Sequence, residues 1–420
     1  MNLVYAGRRS FKTEAGKRRI VKSAVTHCRW PDARFFACAP VQQQAEDIFW
    51  NDLKMLTPRW ALRNANPDDA IEESTCTIHL FNGAIIRVAG LDKPQRIEGG
   101  FWDGGVVSEY ADVEEMAVDE HIMPMTIRGG WIDCEGVPGG RNHFFRRVEK
   151  AEREIAMHGE EACDMATHHW RTSEVLHLFL GEEGARKELA RAKRALDPLT
   201  YAQEYDADWV SMEGLAYYCY DPALHVRSTC KYEPKQDLIF CFDFNVSPGV
   251  AVICQEHDGI THVIGEVYIE RNSTTVAVCN RLVADWGKHE GLIRLYGDAS
   301  GGARGSAKVD GSDWTLVQKV LHQTFGGRLR SYVPSRNPPE RSRLNAVNSR
   351  LKTVDGAVSM RIDGQRCPML LRDFAGVTLL KGGSGELDKT SDKMLTHISD
   401  AIGYYIVRRF PVQPHTIDIE

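Results

Sequence analysis

Leu3, Val4 and Tyr5 make an apolar run long enough for one short buried strand. Ala6-Gly7-Arg8-Arg9-Ser10-Phe11-Lys12-Thr13 follows, and then Glu14 to Val21, whose composition is helical. No other stretch constrains the fold as much as this passage from strand through a tight loop into Lys-Thr at a helix start. The order is that of a phosphate-binding loop. Backbone N–H groups and the helix N-terminus cradle phosphate, the lysine reaches the outer phosphates, and the threonine hydroxyl faces Mg²⁺. The full pattern has glycine at both ends of the loop; here Ala6 and Phe11 stand in those places. The alternative is a plain cationic strand, turn and helix.

The chain has 420 residues, of which 43% are hydrophobic and 26% charged, enough for two or three domains with full cores. Its formal charge of -6 carries no global basic excess, so any contact with nucleic acid must come from local patches. The 11 cysteines include no C-x-x-C pair, which predicts reduced, mostly buried thiols rather than a zinc ribbon or a disulfide framework. No apolar run reaches membrane-spanning length and no signal-peptide layout opens the chain, so no membrane partner is expected.

Past the loop, residues 33–39 predict a second strand closed by Pro40, and residues 42–53 a helix with Ala45, Ile48, Phe49 and Leu53 on one face. Residues 76–80 and 85–89 predict two strands around the Asn82-Gly83 turn. This alternation predicts an α/β domain with a mainly parallel sheet. Gly104 to Val107 is a further short strand, ending at Ser108 and Glu109. An acid there, downstream of a phosphate loop, completes a nucleotide-hydrolysing site. The usual pair is Asp-Glu, the first holding the Mg²⁺ shell and the second orienting or deprotonating the attacking water. Glu109 fills the second place and Ser108 the first. Arg96, just upstream, suits an arginine finger given to a neighbouring subunit, or is a surface arginine. Residues 131–145 predict a strand, a Gly/Pro loop and a helix.

Residues 148–162 and 182–195 predict charged helices with solvated faces. His168-His169 reads as a polar strand end rather than a metal site. Residues 199–209 belong to a small helical linker.

In the second half Leu238 to Asp243 is a buried strand carrying one acid, followed by antiparallel partners around Asp258-Gly259. A carboxylate in an apolar strand is costly unless paired or on a metal, so Asp243 is informative. Asp298 ends a parallel-type strand before a Gly loop, and Asp400 opens an apolar helix, where a helix cap is the alternative. Acids mid-strand, at a strand end and on a late helix are the layout of an RNase H-like nuclease. Such enzymes hold two divalent metals ~3.5–4 Å apart, and oxygen-only ligands suit Mg²⁺ or Mn²⁺. Glu266 and Asp392 are reserve ligands. Arg304, Lys308, Arg328, Arg330, Arg336, Arg341, Arg343 and Arg350, with Lys381, Lys389 and Lys393, would contact the DNA backbone without reading sequence.

In this order the motifs resemble the large terminase subunit of tailed bacteriophages, over nearly the whole chain. The marks are Ala6 to Thr13; Ala39-Pro40 and the Gln44-Ala45 helix; Arg96 before Val106-Val107-Ser108-Glu109; Gly136-Val137-Pro138-Gly139; Gln203-Glu204-Tyr205; Asp243; Tyr296-Gly297-Asp298; and His397-Ile398-Ser399-Asp400-Ala401. The resemblance implies a RecA-like P-loop ATPase domain (1–176), a small helical linker subdomain (177–232) and an RNase H-like nuclease domain (233–412), then a tail (413–420). It implies ATP as substrate, bound by Ala6 to Thr13 and Ser108. Glu109 and Arg96 act in hydrolysis, and Asp243, Asp298 and Asp400 hold metal for cutting. Double-stranded DNA, a portal protein, a small terminase subunit and a homo-oligomeric ring on the procapsid are the implied partners. The implied setting is the host cytoplasm, outside the mature virion. Phe11, Ser108 and Val137 depart from the family's glycine, aspartate and Ser/Thr sensor, and the upstream segment that contacts adenine is missing. A metal-dependent endonuclease on a degenerate ATPase domain is the alternative, and a non-catalytic ring component that binds DNA and portal is a third.

Overall fold

The computed structural model describes residues 1–26, 30–140, 142–210, 214–228, 230–244, 248–271, 273–302, 312–380, 385–390, 392 and 394–412. Arg304, Lys308, Lys381, Lys393 and the tail 413–420 lie outside the described residues. The chain gathers into two compact units, Met1–Leu189 with Tyr201–Ser211, and Ala190–Thr200 with Met212–Glu420. The stretch 177–232 supplies residues to both. No helix among the described residues is long and apolar enough to cross a membrane.

The first unit is built on a sheet of β1 (Asn2–Ala6), β2 (Arg34–Ala39), β3 (Ile71–Glu72), β4 (Thr77–His79), β5 (Ile85–Gly90), β6 (Gly104–Val107), β7 (Trp131–Gly136) and β8 (Ala166–Trp170). Their order is β3-β4-β5-β2-β6-β7-β1-β8. From β5 to β8 the pairings are parallel, and β3 and β4 add an antiparallel edge. Strand β2 shows why its sequence reads as unbroken apolar residues. Phe35, Ala37 and Ala39 enter one core with Ile20, Phe49 and Val106, while Phe36 and Cys38 enter another with Leu3, Val107 and Phe144. Side chains alternate across a strand, and helices cover a parallel sheet on both faces.

The second unit holds β9 (Val226–Arg227), β10 (Leu238–Asp243), β11 (Gly249–His257), β12 (Ile260–Ile269), β13 (Ile293–Gly297), β14 (Leu329–Ser331) and β15 (Met360–Asp363), in the order β14-β13-β10-β11-β12-β15-β9. Strands β10, β11 and β12 form an antiparallel meander, and β13 lies parallel to β10 on its other side. Asp258 and Gly259 join β11 to β12 with φ of 53° and 78°, as a two-residue hairpin turn requires. Leu238, Phe240 and Phe242 pack with the Thr275–Trp286 and Asp313–Phe325 helices, and Ile239 and Cys241 with the Glu340–Leu351 and His397–Arg409 helices. The ten described cysteines are free thiols, as their spacing predicts.

Candidate nucleotide and acidic sites

Strand β1 ends at Ala6, and the helix Lys12–Thr26 begins six residues later, which leaves the 7–11 loop between them. The loop is tied down along its length. Gly7 N–H donates to the Trp170 carbonyl (3.2 Å), Arg8 N–H to the Glu204 carbonyl (2.6 Å), Thr172 Oγ1 to the Arg8 carbonyl (2.7 Å) and Trp170 Nε1 to the Ser10 carbonyl (2.9 Å). Arg8 also pairs with the Glu204 carboxylate, and Arg9 with Glu188 at 2.6 Å. A Cβ on Gly7 would lie 2.2 Å from Thr172 Oγ1 and 2.4 Å from the Tyr205 carbonyl oxygen, so close backbone approach requires glycine here. Phe11, in the place of the template's second glycine, adopts φ of 64° and stacks its ring on Phe179. The loop thus keeps the left-handed turn that glycine would make without strain, at a cost of about 1–2 kcal/mol.

Strand β7 lies between β1, which feeds the loop, and β6, which feeds Ser108 and Glu109. All three run parallel, so their C-terminal ends meet. Glu109 has φ of 52°, a strained backbone for a non-glycine residue and one that clusters at functional sites. Lys12 is buried and donates to the Gly7 carbonyl at 3.4 Å. Burial lowers its ammonium pKa, and Glu109 and Glu135 oppose that shift. Glu135, on β7, is the residue the sequence reading passed over. Its carboxyl faces Thr13, Lys12 and Ser108, and burial pushes it up to about 7 against the pull of those three. The structure therefore brings Lys12, Thr13, Ser108, Glu109 and Glu135 together. Arg96 lies on the Pro94–Ile97 turn, bonded to Gln42 Oε1 (3.0 Å) and Asp92 Oδ1 (3.2 Å). Val137, expected at the sensing position, is a buried side chain just past the end of β7.

In the second unit Asp243 ends β10 and Asp298 follows the adjacent strand β13, with Asp298 N–H donating to the Phe242 carbonyl (3.2 Å). Gly297 permits this approach, since its Cβ would fall 2.4 Å from that carbonyl oxygen. Asp400 sits in the first turn of the His397–Arg409 helix, which packs on β10 and β13. Thr396 is the N-cap, so Asp400 is no cap; its N–H already donates to the Thr396 carbonyl (2.7 Å). Tyr404, on the same helix, feels the charge of all three acids. Each aspartate is 8% exposed.

Each of these carboxylates has protein partners. Asp243 Oδ2 faces His397 Nδ1 at 3.3 Å. Asp298 accepts from Ser300 N–H (2.7 Å), Ser300 Oγ (2.5 Å) and Asn337 Nδ2 (2.6 Å). Asp400 lies between Arg343 (3.2 Å) and Lys389 (3.4 Å). Burial raises the Asp400 carboxyl pKa, Arg343 and Lys389 pull it back, and Asp243 adds to the rise. Among the described residues no three His, Cys, Asp or Glu side chains stand in metal-holding positions. Asp243 and Asp298 share one end of the sheet, and Asp400, on the helix packed against it, is paired with two cations. The donor chemistry of the three acids, buried carboxylate oxygen, fits a hard divalent ion.

Glu266 accepts the Met369 (2.8 Å) and Leu370 (2.9 Å) N–H groups at the start of the Pro368–Gly376 helix, and Asp392 pairs with Arg372 (2.8 Å). Both reserve ligands are thus engaged in holding the fold. Of the cations expected on DNA, Arg343 is turned to Asp400. Arg350 bonds Gly259 and Thr261 and lies over Phe410 (3.9 Å), and Arg328 bonds the His289 carbonyl. Arg330 and Arg336 are exposed.

No protein-family model and no curated protein matches the chain. Solved structures do match. The large terminase of a thermophilic bacteriophage, in complex with ATP-γ-S, aligns over 96% of this chain and 92% of that one, at a TM-score of 0.60 and 16% identity. A second crystal form of that terminase gives 0.61 at 15% identity, over 96% and 92%. Its ADP complex gives 0.60 at 15%, over 97% and 93%. At such identity the likeness is one of fold: two α/β units in the arrangement of strands and helices of a large terminase.

Proposed function

We propose that this chain, which folds as a bacteriophage large terminase does, is a motor-nuclease. It drives double-stranded DNA into a procapsid with ATP and cuts concatemeric DNA with Mg²⁺ or Mn²⁺. The observation that carries this reading is the meeting of Lys12, Thr13, Glu109 and Glu135 at the ends of β1, β6 and β7. The ammonium sits where the loop and the helix start would meet phosphate, and the two acids beside it leave a negative excess that a divalent cation arriving with the nucleotide would balance. Lys12 binds the outer phosphates, and the loop N–H groups and the helix start hold the rest. Glu109 orients and deprotonates the attacking water. Arg96, steadied by Gln42 and Asp92, serves a neighbouring subunit of a ring. In the nuclease domain, proposed as 233–412, Asp243 and Asp298 hold the divalent ion, with Asp400 beside them. The ion, when bound, activates water and stabilises the leaving oxygen. A portal protein and a small terminase subunit are the proposed partners, in the host cytoplasm and outside the mature virion.

A second reading, a nuclease on an inactive ATPase domain, is favoured by Ser108 and by the Phe11 ring stacked on Phe179 at the loop. Two assays on the full chain separate them. The motor reading expects Mg²⁺-dependent ATP turnover that Lys12→Ala abolishes and Asp243→Asn spares. Plasmid cleavage lost in Asp243→Asn, with no ATP turnover in any form of the protein, selects the second reading.

A further inference from the structure

One requirement of a nucleotide site is unmet at the position where it is ordinarily met. The residue before the catalytic glutamate normally carries the carboxylate that holds the Mg²⁺ shell. Here it is Ser108, buried at the end of β6, and a hydroxyl brings no charge. The neighbouring strand carries a carboxylate in reach of the same groups. In the register of the sheet Glu135 pairs with Val4 of β1, and its predecessor Cys134 pairs with Val107 of β6. Glu135 thus stands between the strand that leads to Thr13 and the strand that leads to Ser108.

The fold leaves one oxygen of the Glu135 carboxyl unsatisfied. The residue is 2% exposed, and its Oε1 has no hydrogen-bond partner. A buried carboxylate oxygen without a donor is costly and asks for an explanation. Lys12, the nearest cation in the site, donates to the Gly7 carbonyl instead. Room for the acid comes from Gly16, on the helix above, whose Cβ would lie 3.4 Å from Glu135 Oε2 and 3.1 Å from Val106. The groups facing Glu135 are the hydroxyls of Thr13 and Ser108, with the Lys12 ammonium and the Glu109 carboxylate in range. A carboxylate and two hydroxyls form an oxygen-only donor set, which suits Mg²⁺ and does not suit a soft metal.

We propose that Glu135 replaces the acid missing at Ser108: it anchors the nucleotide's Mg²⁺ together with Thr13, and Ser108 orients it. The inference rests on reading the 6–13 loop as an ATP site. The rival is a buried acid that only balances the charge of Lys12, and that role would not change with metal.

The test is binding of a fluorescent ATP analogue to the full chain, titrated with Mg²⁺ and compared with Mg²⁺-free buffer. Wild type binds more tightly as Mg²⁺ is added. Glu135→Gln still binds the analogue without Mg²⁺ but needs about tenfold more Mg²⁺ for its gain in affinity, or loses the Mg²⁺ effect altogether. Adding Ser108→Asp to Glu135→Gln restores the Mg²⁺ effect by returning the charge to β6. A Mg²⁺ requirement in Glu135→Gln within about twofold of wild type overturns the assignment while leaving the ATP site intact. Equal nucleotide affinity in Lys12→Ala and wild type, or no Mg²⁺-dependent binding in wild type, overturns the reading of the loop and the assignment with it. Should Glu135→Gln fail to fold, Glu135→Asp keeps the charge one methylene shorter. It should need more Mg²⁺ than wild type, and an unchanged requirement counts against the proposal.

Discussion

The Arg343 guanidinium lies 3.2 Å from the Asp400 carboxylate, with side-chain exposures of only 8% and 11%. Lys389 approaches the other carboxylate oxygen at 3.4 Å, but its side chain is 48% exposed. A buried charge left alone is far more costly than a solvated one, so these two cations differ in what they contribute. Arg343→Met should lower the unfolding free energy in urea by about 3–5 kcal/mol. Lys389→Met should lower it by less than about 1 kcal/mol. Equal losses would contradict the burial argument.

Glu266 supplies a pH dependence of stability. Burial raises its carboxyl from the ordinary 4.5 to about 7, although the Met369 and Leu370 N–H groups pull the other way. A group raised on folding binds its proton more tightly in the folded state. Its contribution is therefore complete below pH 4.5 and is lost as pH rises through about 7. Urea unfolding near about pH 5 and about pH 8 should show lower stability at the higher pH, and Glu266→Gln should flatten that difference. A slope unchanged in Glu266→Gln would assign the effect to another group.

Phe11 sets two effects against each other. Its left-handed backbone costs about 1–2 kcal/mol, and the stack on Phe179 returns about 0.5–1.5 kcal/mol. Phe11→Gly removes both, so thermal stability should change by less than about 1 kcal/mol. Phe179→Ala removes only the stack and should destabilise. Phe11→Gly should also tighten nucleotide binding, because backbone then reaches phosphate without a ring beside it. Weaker binding in Phe11→Gly would show that the ring itself serves the nucleotide.

Much of this architecture is legible in the sequence, and the limits of that legibility are physical. Phe35 to Ala39 announces a strand buried on both faces, and Asp258-Gly259 announces its hairpin, because both signals are local. Lys12, Thr13 and Glu109 are legible through motif spacing. Glu135 is not, because its meaning comes from β7 lying between β1 and β6, and strand order is not written in any one stretch. Arg343 and Arg350 read as part of a basic cluster that would contact the DNA backbone. The fold turns them inward because the Glu340–Leu351 helix packs on the His397–Arg409 helix, which brings Arg343 to Asp400 and Arg350 to Phe410. Glu266 reads as a spare metal ligand, yet its two acceptors go to the start of a helix that is distant in sequence.

Asp243 and Asp298 are joined through neighbouring parallel strands, so both should be needed for cutting. Supercoiled plasmid incubated with the chain and Mg²⁺ or Mn²⁺ should be nicked and linearised. Chelation should stop it, and Asp243→Asn or Asp298→Asn should reduce it about a hundredfold or more. Cleavage that survives both substitutions would place the nuclease elsewhere.

The central claim is that the 6–13 loop, Glu109 and Glu135 form a working ATP site coupled to DNA. Steady-state ATP hydrolysis by the full chain in Mg²⁺, with and without linear double-stranded DNA, tests it most directly. Turnover is expected to be stimulated by DNA and abolished by Lys12→Ala in both conditions. Turnover that is unchanged in Lys12→Ala, or absent from wild type with DNA present, would contradict it.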